Sequence, residues 1–441
     1  MATTYLTRTG ATPTTSNKYT FSCWVKRGSI GTTETIFRTY SDGSNSAQLI
    51  FDSDDTFAFQ DIVGGTTVTN LKPSNLFRDT GAWMNFIVQV DYTQATAADR
   101  AKIFINGGEV SYSATTVQSQ NGASMLNTAN NNALGSNRSN SSHYFTGSMS
   151  QVNFIDGTAY PATAFGSVNA TSGIWVANSG PTVTYGNNGF FLDMANSSDM
   201  GNDVSGNAND FTVGGGTVTQ IKDTPDNNFA TWNPLVQQSS GFVLSNGNTT
   251  ADNTNDTWRS VYSTLAPSVG KYYFECKIVN QLQTPRSIIG VCSTTQASNS
   301  SARLGYEGTN AYAYGSDGNK INNGTNTSYG NTFATGDIIS CALDLDNGKI
   351  YFGKNGTWQN SGDPTSGSTG TGSAFNVTLG ESYYFGSASY GNDGIISINS
   401  GNGYFQTTAV ASAGTNASGN GIFEYDVPTG YTALSTKGLN L

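Results

Sequence analysis

Charge is what this 441-residue chain has least of: Asp, Glu, Lys and Arg together make up 11% of it, against a usual share of about a quarter. Its polarity comes instead from Ser, Thr, Asn and Gly, residues that favour strands and turns over helices. Basic residues are the scarcer sign, 20 against 30 acidic, for a net charge of -10. That balance repels phosphate backbones and offers no basic stripe, which argues against nucleic acid as a partner. Cysteine is nearly absent. Cys23, Cys276, Cys292 and Cys341 form no C-x-x-C pair, three of them sit in apolar stretches, and all four are expected as reduced core residues. No basic segment followed by an apolar run opens the sequence, and no stretch approaches the roughly 18 apolar residues of a membrane helix. The expectation is a chain made in the cytosol that spans no membrane.

Catalytic residue types are also few. A glycosidase needs two carboxylates flanking the scissile bond, yet the only glutamates are Glu34, Glu109, Glu275, Glu307, Glu381 and Glu424, no two close in sequence. The single histidine, His143, lies beside Ser141 and Ser142 with no third group in sight to orient it, so an exposed loop histidine is the simpler reading. The chain is therefore expected not to be an enzyme.

What is abundant is short-period alternation. The 36% apolar share, with the 52 Gly added, comes close to the globular norm, so a packed core is expected and disorder is not. Length favours two cores over one. Runs with a period of two recur between Gly, Asn, Asp and Ser clusters, which reads as all-β. In Thr20–Lys26 the pattern puts Phe21, Cys23 and Val25 on one face. Trp83–Val90, Ala101–Ile105, Tyr144–Ile155 and Gly189–Met194 continue it, with Asn106-Gly107 as a tight hairpin; only 96–102 looks helical. The Asn-rich stretch 111–142 shows little apolar pattern and reads as a surface excursion. The Gly-rich stretch 195–233, with short strands at 210–213 and 218–222, reads as a junction. Beyond it, Gly270–Val279, Ser287–Cys292 and Asp337–Leu345 read as strands, and Asp346-Asn347-Gly348 and Asn355-Gly356 as two hairpin turns. The domain reading is a sandwich over 1–194, the junction, a second sandwich over 234–410, and a C-terminal segment 411–441 packed back on the fold.

The motifs Gly270-Lys-Tyr-Tyr-Phe-Glu-Cys-Lys, Ile289-Gly-Val, Leu304-Gly-Tyr and the run from Gly336 through Asp-Leu-Asp-Asn-Gly-Lys-Ile-Tyr-Phe-Gly-Lys-Asn-Gly-Thr-Trp358 resemble a SPRY domain in content and order. The resemblance implies a two-sheet sandwich that binds partners through loops and performs no chemistry. Tyr19-Thr-Phe-Ser-Cys-Trp-Val-Lys, Trp83–Asp91, Lys102-Ile-Phe-Ile-Asn-Gly-Gly and Tyr144–Gly157 are similar to concanavalin A-like, laminin G-type sandwiches. The tandem, with the endings Gly401-Asn-Gly-Tyr-Phe and Phe423–Tyr431, resembles virion or fibre proteins of marine tailed bacteriophages. That resemblance implies a virion surface protein, a fibre or capsid decoration. Its partners would be other virion proteins and a host-surface glycan or protein, and a homo-oligomer such as a trimer is expected. A bacterial surface lectin and a polysaccharide depolymerase are the alternatives.

Tyr306, Tyr312, Tyr314 and Tyr329 crowd a polar segment, as rings that stack on sugars do, although Tyr312 and Tyr314 fit a strand face equally well. With His143 they are the ligand-binding candidates. No cofactor is expected. Asp42, Asp52, Asp54 and Asp55 offer oxygens to a Ca²⁺ at a sandwich rim but lack a defined ligand spacing, so solvated turn residues are the stronger reading. Asp344-Leu-Asp346-Asn347-Gly348 begins like an EF-hand loop, but a strand follows it and no Glu stands at the twelfth position.

Overall fold

The computed structural model describes residues 3–137, 142–237, 241–281, 286–297, 303–391 and 394–440. The chain is all-β and falls into two compact units, Met1–Gln220 and Ile221–Leu441. In the first unit an eight-stranded sheet runs in the order Tyr112–Thr116, Thr66–Pro73, Phe57–Val63, Asn45–Phe51, Glu34–Asp42, Asn131–Leu134, Tyr5–Thr9, Thr212–Gly215. A six-stranded sheet runs Phe190–Leu192, Gly147–Asp156, Lys18–Arg27, Met84–Asp91, Ala101–Ile105, Gly108–Glu109. Phe21, Cys23 and Val25 point with Phe86 from the second sheet into the shared core, against Phe51, Phe57 and Phe59. Ile87 and Ile155 on its other face are covered by Ala162, Phe165 and Trp175. Such double coverage leaves Ser22, Trp24 and Lys26 buried as well.

Three readings of this half are corrected. The stretch 111–142 is no mere surface excursion: Asn131–Leu134 is inserted between Glu34–Asp42 and Tyr5–Thr9, and Leu126, Ala133 and Leu134 are buried. Asn and Ala in an interior strand give no alternating signal, because here the ladder hydrogen bonds do the work. The helix at 96–102 shrinks to a 3₁₀ turn, Ala97–Asp99, before the strand Ala101–Ile105. In the presumed junction, Thr212–Gly215 pairs with Tyr5–Thr9 and so belongs to the first sandwich, while no strand forms at 218–222.

In the second unit a seven-stranded sheet runs Trp232–Gln237, Trp258–Ser263, Tyr383–Tyr390, Ser287–Ser293, Ala311–Gly315, Asn319–Asn322, Thr325–Ser328. Its partner sheet runs Phe242–Ser245, Thr250–Asn253, Gly394–Asn399, Lys271–Asn280, Ile338–Asp344, Lys349–Lys354, Thr357–Trp358. Phe274 and Phe385 stack across the gap with ring centroids 4.0 Å apart. The outer face of the partner sheet, Tyr273, Ala342 and Tyr351, is covered by Phe423, Val427, Tyr431 and Ala433 of the C-terminal segment. Thr432–Ala433 pairs in parallel with Tyr272–Tyr273. Glu275, wholly buried, accepts the backbone N–H groups of Glu424 and Tyr425 at 2.9 and 2.8 Å, the Tyr273 hydroxyl at 3.0 Å and the Asn399 amide at 3.3 Å. One carboxylate buried on the outer face thus ties the end of the chain to the sheet.

Asn355 and Gly356 hold φ of 48° and 79°, the left-handed pair of a two-residue hairpin. In the EF-hand-like stretch Asp344 accepts the N–H groups of Asp346 and Asn347 and pairs with Lys271 at 3.0 Å. Its oxygens are spent on the turn. All four cysteines are buried and unpaired.

Candidate functional site

The sequence-derived candidates separate by depth. Tyr312 and Tyr314 alternate with Ala311 and Ala313 in a strand buried on both faces. Their rings enter the inter-sheet core: Tyr314 lies 5.6 Å from Phe352 and from Tyr329, and Tyr312 lies 5.5 Å from Phe375. The phenol of Tyr314 donates to Asn331 O, and those of Tyr314 and Tyr329 are pushed up by burial. Three of the four tyrosines therefore cannot stack on a sugar. The alanines, small enough to lie under Leu304 and Ile321, are what cover the opposite face. Replacing Tyr314 with Ala is expected to cost about 3–5 kcal/mol of stability by opening a core cavity, and replacing it with Phe only about 1 kcal/mol for the lost hydrogen bond. Urea unfolding of the two variants checks the ratio.

The Ca²⁺ reading meets cations of the protein's own. Lys72 Nζ lies 2.9 Å from Asp52 and 3.0 Å from Asp54; Asp55 pairs with Arg27 at 3.1 Å and Arg78 at 2.9 Å and accepts the Gly31 N–H. Hydrogen bonds from Thr56, then Lys72, hold Asp54 down at about 2. Burial pushes Asp55 up, but Gly31, Arg78 and Arg27 together bring it below its ordinary value. Asp42 is occupied by Ser44 and Asn45 in its own turn. Among the described residues no group of three His, Cys, Asp or Glu is arranged to hold a metal. His143 is exposed with φ 53°, its ring 3.3 Å from the Asn137 amide and its carbonyl accepting Thr35 N–H. Ser141, its possible partner, lies outside the described residues.

Tyr306 is different. It remains part-exposed at the edge of a row of rings and guanidinium groups on the outer face of the seven-stranded sheet. Trp258 begins one strand and Tyr390 ends its neighbour, so their pairing puts the rings 5.7 Å apart, edge to face. Arg286 lies 4.3 Å over Tyr390. Gly391, at φ 87°, lets it in: a side chain there would meet the Arg286 guanidinium at 3.0 Å. Arg303 is clamped between Trp258 and Tyr306, its guanidinium carbon 3.5 Å from each ring centre. The segment carrying it is fixed by Leu304 N–H donating to Ser260 Oγ at 3.0 Å and by Gly305, whose φ of 80° allows close approach to Ala313 and Ile321. Tyr306 Oη then reaches Asn326 at 3.2 Å.

Stacking between two rings desolvates Arg303, and burial draws its pKa down, partly offset by Tyr306 and Asp317. Its Nε is buried with no hydrogen-bond partner, and among the described residues no carboxylate forms an ion pair with it. Trp, Tyr and Arg on a rigid sheet are the residue types that dominate protein interfaces. A guanidinium held flat, with no carboxylate in ion-pair contact among the described residues, is suited to receive one. Sequence reading found Tyr306 but missed Trp258, Arg286, Arg303 and Tyr390, which are spread over more than 130 residues and are joined only by the tertiary fold.

Residues 271–375 match the model of the SPRY domain, and residues 2–163 that of the concanavalin A-like lectin/glucanases superfamily. Ran-binding protein 9 of Danio rerio is 34% identical over 94 residues, 21% of this chain and 15% of that protein; Ran-binding protein 9 of Xenopus tropicalis is 36% identical over 101 residues, 22% and 18%. The chain thus matches less than a fifth of these curated relatives' length. Among solved structures it is similar to the SPRY domain of human HERC1, 20% identical with a TM-score of 0.30 over 38% of this chain and 96% of that one.

Proposed function

We propose that this chain, a concanavalin A-like sandwich followed by a SPRY domain, is a non-catalytic binding protein of a virus particle, and that it holds a protein partner through the Arg303 clamp. The observation that carries the binding role is the clamp itself: a guanidinium between Trp258 and Tyr306 with no carboxylate in ion-pair contact among the described residues. Because Arg303 covers one face of each ring, stacking on a pyranose is disfavoured and an acidic protein surface is the better fit. The two matched domain types support a binding module. The two buried glutamates with the richest surroundings, Glu34 and Glu275, are engaged by backbone N–H groups and serve structure. The low charge content, the reduced cysteines and the likeness to tailed-phage virion proteins support a chain made in bacterial cytoplasm and carried on a particle that contacts the host surface or neighbouring subunits.

The test is adsorption of the purified protein to a panel of bacterial cells and of proteins released from phage particles. Trp258→Ala and Arg303→Glu should each weaken retention by about thirtyfold or more, the ~2 kcal/mol of an interface hot spot, with the fold retained. The thermal transition should be unchanged for Arg303→Glu and lowered for Trp258→Ala, whose ring also packs on the sheet. Retention that ignores both substitutions would remove the clamp from the interface. Sugar release from host polysaccharide by the wild-type protein would replace binding with catalysis.

A further inference from the structure

The last strand of the seven-stranded sheet, Thr325–Ser328, is exposed along its whole length. It pairs with Asn319–Asn322 through a two-residue turn whose Asn323 and Gly324 have φ of 48° and 71°. In such a hairpin the pairs next to the turn and two beyond it exchange backbone hydrogen bonds. Asn322 and Thr325, then Lys320 and Thr327, are those pairs. The N–H and C=O groups of Asn326 and Ser328 therefore point away from the sheet. Proteins normally guard such an edge with charge, Pro, a bulge or brevity, and this one reads Thr-Asn-Thr-Ser.

The other edges of the four large sheets, among the described residues, carry guards. Trp232–Gln237 contains Pro234 and a register shift; Tyr112–Thr116 and Thr212–Gly215 pair through register shifts; Gly108–Glu109 and Thr357–Trp358 are two residues long. Phe190–Leu192 is capped by Asp203, and Phe242–Ser245 has Trp232–Gln237 beside it. The unguarded edge also adjoins the clamp: Asn326, which lies on the face that Ile321 turns toward Leu304, accepts the Tyr306 hydroxyl.

We propose that the edge Thr325–Ser328 receives an extended segment of an acidic partner polypeptide, which adds to the seven-stranded sheet as an eighth strand while an acidic residue flanking it reaches Arg303. This rests on the clamp being the binding surface. Backbone pairing supplies affinity with little demand on sequence, and the guanidinium supplies selection for a carboxylate. A second copy of this chain is a poor occupant, since four residues paired with four fall far short of the ~1,600 Å² of a stable interface.

The test uses a ribosome-displayed library of random dodecapeptides selected against the full chain. Selected peptides should combine a run of β-branched residues with a flanking Asp or Glu. Their affinity should fall tenfold or more on Ser328→Pro, which removes one outward N–H and is tolerated at a sheet edge, and likewise on Arg303→Ala. Asn326→Pro removes the other outward N–H and serves if Ser328→Pro lowers the thermal transition. Peptides lost on Arg303→Ala but indifferent to both prolines would overturn strand addition and leave the clamp standing. Indifference to all three substitutions would overturn both readings, and failure to enrich any peptide would overturn strand addition. A concentration-dependent dimer in sedimentation that Ser328→Pro abolishes would make the occupant a second copy.

Discussion

Exchanging Arg27 for Met is expected to destabilise the first sandwich by about 3–5 kcal/mol, the usual cost of stranding buried charge. Arg27 is wholly buried; it donates to Asp55 at 3.1 Å and to Phe77 O at 2.6 Å, lies 3.5 Å from Glu34, and covers the Phe51 ring at 4.3 Å. Met fills most of the volume but leaves buried Glu34 without its cation and Asp55 with Arg78 alone. Glu34, already raised above its ordinary value by burial with Arg27 among the groups opposing it, would rise further. A melting temperature lower by roughly 10 °C is expected for a unit of this size. If stranded charge is the cause, adding Glu34→Gln and Asp55→Asn to the Arg27→Met chain will recover part of the loss. A triple variant no more stable than the single one would assign the loss to packing.

The second large effect concerns Glu275. Replacing it with Ala orphans two backbone N–H groups of the C-terminal segment, each worth about 1–3 kcal/mol, so a loss of about 3 kcal/mol or more is expected. Faster proteolytic cleavage between 411 and 431 than in the wild type is expected to accompany it. The same carboxyl makes a pH signature. Burial raises it from 4.5 to about 7, against the pull of the Glu424 and Tyr425 N–H groups and the Tyr273 hydroxyl. Since the folded state binds this proton more tightly than the unfolded one, its contribution is fully present below about 4.5 and is lost as the pH rises to about 7. The difference is on the order of 3 kcal/mol, at about 1.4 kcal/mol per pH unit. Asp61, buried in the other unit and raised to about 6, acts in the same direction. Urea unfolding followed from pH 4.5 to 8 should show the second unit weakening, and Glu275→Gln should flatten that slope. A slope unchanged by Glu275→Gln would place the titration elsewhere.

Much of this protein was legible in its sequence because local chemistry decides it. The scarcity of charged residues, the period-two runs and the Asn-Gly pairs specify an all-β chain, and Asn106-Gly107 and Asn355-Gly356 adopt the left-handed turns their residue types favour. The ordered motifs from Gly270 to Trp358 marked the second sandwich for the same reason: each strand and turn is encoded within a few residues.

Tertiary structure alone decided what depends on which face is covered. Period two placed Tyr312 and Tyr314 on one side of a strand, but only the sheet packed against them made that side the core. Asp52, Asp54 and Asp55 looked free because their cations, Lys72, Arg27 and Arg78, lie some 20 to 30 residues away and arrive through strand pairing. The clamp is the clearest instance. Trp258, Tyr390 and the Arg303–Tyr306 segment carry no mutual signal in the sequence; antiparallel registry pairs Trp258 with Tyr390, and the Leu304–Ser260 hydrogen bond with Gly305 brings Arg303 and Tyr306 onto them.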